Sequence, residues 1–174
     1  MTTEASADKA LREIIDRQEI RDVLATFARG IDRSDVDMVR STFWPDGTFD
    51  HGRLASGPVE GFLQQMPTWP FVWTQHHLAQ TMYEFAGNVA FTETYCMAYH
   101  RRRADENGIE KDITIGVRYL DRFERRNGEW KIAHRVLGWD WNRIDPVNEK
   151  SDPGPTMTQG KRNRDDMAYR LSEL

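Results

Sequence analysis

From Ala7 onward the apolar residues Leu11, Ile14, Ile15, Val23, Leu24 and Phe27 recur at helical spacing with charges between them, and the pattern stops near Gly30. A long amphipathic first helix is predicted. Ser34, whose hydroxyl can satisfy free backbone N–H groups, and Asp37 in the first turn predict a second helix from Asp35 to Phe43, broken by Trp44-Pro45-Asp46-Gly47. Thr48 to His51 is predicted as a short strand. Gly57-Pro58 then opens a third helix, Val59 to Met66, which Pro67 and Pro70 stop.

After Pro70 the pattern changes to strands. Thr74 to Phe85, Val89 to Arg103, Lys111 to Arg126 and Glu129 to Asn142 are rich in β-branched and aromatic residues. The intervening Ala86-Gly87-Asn88, Asn107-Gly108 and Asn127-Gly128 are hairpin signals, so the four strands form an antiparallel meander. Helices first and a long sheet second predict an α+β fold, with residues 1–150 as one domain. Residues 151–174 are polar and carry Pro153, Gly154, Pro155 and Gly160. They are expected to form a C-terminal arm, either mobile or docked through Met167, Tyr169 and Leu171 over the pocket or a neighbouring subunit.

Charge and composition remove several function classes. Twenty-four basic against 28 acidic residues give a net charge of −4 with no basic cluster, which argues against nucleic acid as a partner. The single cysteine, Cys96, allows no intrachain disulfide and no Cys-based zinc site, which fits a reducing cytoplasm. The polar N-terminus lacks the apolar core of a signal peptide. No stretch approaches the ~18 apolar residues of a membrane span, so no membrane partner is expected. Five histidines are scattered without a metal-binding helix spacing, and no phosphate loop, dinucleotide fingerprint or nucleophile elbow is present. Neither metal nor cofactor is expected.

Two stretches resemble a known family. EIRDVLATFARGIDRSDVDMVRSTFWPDGTFD is similar to the opening helices and first strand of SnoaL-like proteins of the NTF2-like superfamily, and YLDRFERRNGEWKIAHR is similar to one of their hairpins. Scytalone dehydratase, hexachlorocyclohexane dehydrochlorinase, bile acid 7α-dehydratase and polyketide cyclases belong to this family. The resemblance covers Ala7 to Asn142. It implies a cone, in which helices pack inside a curved antiparallel sheet that encloses a pocket.

It also implies candidate residues. Asp32 stands where the dehydratases carry the aspartate of an Asp-His pair; from its sequence position alone it would equally cap the next helix. Alternation along TQHHLAQ sends His76 and His77 to opposite faces, and Thr74-Gln75-His76, similar to a dehydratase phrase, selects His76 as inward. A carboxylate on one imidazole nitrogen would fix the tautomer and leave the other as a base.

His100 matches a second histidine of scytalone dehydratase, although next to Arg101-Arg102-Arg103 it would also suit a solvated strand end. Arg135 matches a basic residue that holds leaving chloride in the dehydrochlorinase, or is an exposed strand charge. His51 and Tyr119 are candidate donors to a substrate oxygen; His51, Val117 and Tyr119 depart from the scytalone site. Phe27 replaces a tyrosine of the bile acid enzyme. With Phe62 and Trp69 it would suit an apolar ring compound.

The expected function is a cofactor-independent lyase, dehydratase-like, or an isomerase, with Asp32 and His76 catalytic. The alternative is a non-catalytic small-ligand binder or accessory subunit. Tyr95, Met97 and Tyr99 on the outer sheet face predict a homo-oligomer, with a trimer favoured over a dimer by the resemblance.

Overall fold

The computed structural model describes residues 2–52, 55–147 and 150–173. Three helices, α1 (Thr2–Arg33), α2 (Val36–Ser41) and α3 (Val59–Gln65), precede most of a single six-stranded sheet. Its strands are β1 (Phe43–Asp50), β2 (Ser56–Pro58), β3 (Phe71–Ala86), β4 (Val89–Arg102), β5 (Lys111–Arg126) and β6 (Glu129–Pro146), in the spatial order β2-β1-β6-β5-β4-β3. All neighbours are antiparallel except β1 and β6. The sheet is curved and unclosed, giving the α+β fold that the helix-then-strand order predicted and the cone that the resemblance implied.

Burial on α1 begins later than its apolar pattern. Leu11 and Ile14 are 57% and 63% exposed, whereas Ile20, Leu24, Phe27 and Ile31 are buried against Val39, Phe43, Phe123 and Ile132 of the core. Between the two halves sits Asp16, which accepts hydrogen bonds from Trp130 Nε1 (3.0 Å) and Arg125 Nη1 (2.7 Å). This ties the middle of α1 to β5 and β6. At 1.5 Å per residue Asp32 lies about 24 Å further along the same helix, so its place is set by a rigid element anchored elsewhere.

The end of α1 differs from the expected break at Gly30. The helix runs on to Arg33, and Ser34 turns the chain with φ of 53°. Gly30 is required for close approach instead: a Cβ there would lie 2.7 Å from Val39 Cγ2 of α2. The cap of α2 is not Ser34 but Asp35, whose carboxylate accepts from the Met38 N–H at 3.1 Å. Trp44-Pro45-Asp46-Gly47 is likewise no break. It lies within β1 as an irregularity in the pairing with β6, and proline is tolerated because the register breaks between Phe43 and Thr48 and β2 pairs only from Thr48 onward.

On the outer face Tyr95 and Met97 are exposed, while Tyr99 is half-buried and stacked on Trp73 at 5.5 Å. Residues 150–173 contain no long element. They dock on α1 and α2 through Arg33–Asp166 (3.2 Å), Arg29 Nη2 to the Ala168 carbonyl (2.8 Å) and Tyr169 Oη to Asp35 (2.8 Å). Among the described residues no helix is long and apolar enough to cross a membrane.

Candidate active site

The last turn of α1 aims Asp32 at the head of β3. Its Oδ1 accepts from His76 Nδ1 at 2.7 Å and from Thr74 Oγ1 at 2.9 Å, and its Oδ2 accepts the His76 backbone N–H at 3.0 Å. Three donors therefore converge on one carboxylate, and two of them come from His76. Because Thr74 and His76 are two apart, they share a face of β3, while Gln75 and His77 face outward and are exposed. Asp32 thus acts through its side chain in a tertiary contact, and the capping role falls to Asp35.

His76 lines a cavity of about 470 Å³ between the helices and the concave side of the sheet. With Nδ1 engaged by Asp32, Nε2 is the free nitrogen. Phe27 and Ile31 of α1, Phe49 and His51 at β1, and Phe62 and Trp69 at α3 form one side; β4 to β6 supply Ala98, His100, Val117, Tyr119 and Leu137 on the other. Most of this surface is hydrocarbon. Edge-on aromatic packing runs through it, with Phe49–Phe62 at 4.3 Å and Phe62–Trp69 at 5.3 Å between ring centres. Six of the seven residues expected to contact a ligand line it: His51, His100, Tyr119, Phe27, Phe62 and Trp69.

Arg135 is the exception. Neither an exposed strand charge nor a wall residue, it is fully buried behind the wall, where Asp121 takes Nε and Nη2 at 2.6 and 2.7 Å. Its guanidinium lies over the rings of Phe27 and Tyr119, 4.0 and 4.2 Å from their centres. Alternation explains the placement, since Arg135 pairs with Asp121 in the β5–β6 ladder and both point inward below the cavity floor.

Three polar groups of the cavity, His100, His51 and Tyr119, are shifted toward their uncharged forms. Burial first, then the charge of His76, pushes His100 down to about 3. Its ring lies edge-on to His76 at 5.3 Å, and its Nδ1 is buried without a partner. Burial also lowers His51, and burial followed by Cys96 raises the Tyr119 phenol. His100 makes stability pH-dependent. Between pH 6.5 and about 3 the unfolded imidazole binds a proton that the folded one refuses. Stability is therefore whole above that window and declines as pH falls, by up to about 1.4 kcal/mol per pH unit. Urea midpoints taken from about pH 7 to about pH 4.5 should fall less steeply for His100→Phe than for wild type; parallel curves would contradict this.

A profile of the SnoaL-like domain matches residues 12–136. The chain belongs to the SnoaL-like family. No curated protein matches it in sequence. Among solved structures this SnoaL-like domain is similar to a candidate scytalone dehydratase of Novosphingobium aromaticivorans, with a TM-score of 0.66 and 18% identity over 83% of this chain and 97% of that one. It is also similar to the type 3 hexachlorocyclohexane dehydrochlorinase of Novosphingobium barchaimii, with a TM-score of 0.69 and 19% identity over 84% and 99% of the two chains. Identities this low establish the shared fold.

Several residues at the SnoaL-like site, Gln65 among them, escaped the sequence reading. Thr74 binds Asp32, and Arg102 and Asn142 line the cavity. The signal for two of them was the strand period, since Thr74 stands two before His76 and Arg102 two after His100. Asn142 is the last residue of the predicted strand, which β6 extends to Pro146. Among the described residues no group of three or more His, Cys, Asp or Glu is placed to hold a metal ion.

Proposed function

We propose that this protein is a cofactor-independent lyase, dehydratase-like, acting on a small apolar ring compound through an Asp32–His76 base. The observation that carries the reading is the 2.7 Å contact between Asp32 and His76 Nδ1, with His76 on the wall of a largely apolar cavity. Asp32 holds the imidazole so that Nε2 keeps its lone pair toward the ligand. Nε2 takes a proton from carbon beside an activating carbonyl or aromatic group. The C–H electrons form the new double bond and the bond to the leaving group breaks. Departing halide leaves as the anion, and departing hydroxide leaves as water by taking the proton that His76 Nε2 has just acquired, which restores the base. The apolar wall strengthens each of these electrostatic terms because little water screens them.

The test is proton NMR in D₂O with ring alcohols and halides that carry an adjacent carbonyl. Wild type is expected to give elimination or deuterium exchange at the acidic carbon, and His76→Ala neither. Equal activity of the two proteins would remove His76 from the mechanism.

In the same reading the outer face packs against further copies of the chain, a trimer ahead of a dimer. Its exposed Phe91, Tyr95 and Met97 surround the Glu93–Arg118–Asp140 ion group. Sedimentation at micromolar concentration should show a multiple of 20.3 kDa, and a clean monomer would refute it.

A further inference from the structure

Among the described residues the wall of the cavity carries one charged residue, Arg102, and no carboxylate. Asp32 stands behind His76 and is already engaged by three donors. The neighbour of Arg102 on the opposite face of β4, Arg101, is neutralised by Asp112 and Glu110, whereas Arg102 makes no ion pair among the described residues. A second cation, Arg162, lies outside the cavity lining but near enough for its charge to reach His100. Arg162 is held by the docked arm, whose Asp166 accepts the Lys161 N–H at 2.7 Å and pairs with Arg33, and whose Arg164 pairs with Asp35 at 2.9 Å. Its Nε and Nη2 are buried without a partner. Its charge is felt at His100, two residues before Arg102, and it feels Asp32 and Arg103. A buried cation left unpaired is costly, and nothing in the packing of the arm uses these two donors.

We propose that the ligand of this cavity is an acid, with an apolar ring body inside and a carboxylate at the mouth, received by Arg102 and reinforced by Arg162. The assignment rests on the reading of the cavity as a site for ring compounds, and it narrows that class to anions. An anion at the mouth satisfies Arg102 directly and gives the unpaired charge of Arg162 a counterpart. The arm, which lies outside the matched SnoaL-like region, thereby contributes to specificity. Among the described residues neither arginine hydrogen-bonds or ion-pairs with Asp32 or His76.

Calorimetry with 2-naphthoate and 2-naphthamide tests this, since the two share a ring and differ in charge. Wild type is expected to bind the acid about tenfold tighter than the amide or better, as one charge-assisted pair provides. Arg102→Gln should abolish the preference. Arg162→Gln should weaken it without changing affinity for the amide, and Arg162→Lys, which keeps the charge, should restore it. A lysine variant as poor as the glutamine one would make Arg162 structural only and overturn its part. Equal binding of acid and amide by wild type, or a preference that survives Arg102→Gln, overturns the acid assignment and leaves the Asp32–His76 base standing. Failure of both probes to bind overturns the ring-compound reading and this proposal with it.

Discussion

Asp32→Asn is expected to cut kcat/KM by about two to four orders of magnitude, the range over which one positioned base contributes. The amide cannot stabilise the imidazolium that forms when His76 takes its proton. It also turns an N–H₂ toward one of the three donors that now converge on the carboxylate, the Thr74 hydroxyl, the His76 ring and the His76 backbone. His76→Ala should do at least as much damage. The two losses should not add, because each change disables the same unit, so the double variant should be no worse than the poorer single one. Additive losses would mean that Asp32 serves the reaction by a route other than His76. Folding must be checked beside turnover, since Asp32 also fastens the head of β3 to α1; the expected result is a large fall in kcat with a modest shift in the urea midpoint.

The resemblance names Asp32 and His76 as a pair; the helical pattern stops near Gly30, short of Asp32, and strand alternation adds only that His76 and His77 face opposite ways. In the structure Asp32 and Phe27 lie on one long helix, and Thr74, His76 and His100 sit on inward positions of strands with clear alternation. The sheet was legible in its β-branched and aromatic runs and its hairpin signals: β5 has the predicted bounds, and β3, β4 and β6 differ from prediction at one or both ends. What failed was local punctuation. Gly30 looked like a helix stop, yet it is demanded by the contact with Val39 in α2, a tertiary requirement that no local pattern carries. Ser34 looked like a cap, but the left-handed backbone at that residue hands the role to Asp35. Leu11 and Ile14 had the right spacing for burial and remain exposed, because periodicity shows which face is apolar and not whether anything covers it. The sequence leaves the arm open between mobile and docked. Its docking depends on Asp166, Arg164 and Tyr169 meeting partners more than a hundred residues away, at Arg33 and Asp35.

Arg135→Leu is expected to destabilise the fold by about 3–5 kcal/mol, as removal of one partner from a buried pair does. Asp121 would be left fully buried without a counter-charge, and Phe27 and Tyr119 would lose the cation between their rings. Burial already pushes the Asp121 carboxyl up with Arg135 beside it, so without the arginine the carboxyl meets the loss by holding a proton. A folded-state value above the unfolded one adds stability that is present at low pH and lost as pH rises through the folded value. Arg135→Leu should therefore be relatively best in mild acid, where wild type is already losing stability at His100. Replacing both partners, Arg135→Leu with Asp121→Val, should recover most of the loss, because an apolar pair leaves no charge to solvate. That double variant also separates two roles. If Arg135 only supports the wall, the variant keeps turnover once it folds. If it held a leaving group, stability would return and activity would not. The placement of Arg135 beneath Phe27 and Tyr119, with Nε and Nη2 engaged by Asp121 and only Nη1 without a partner, predicts the first outcome.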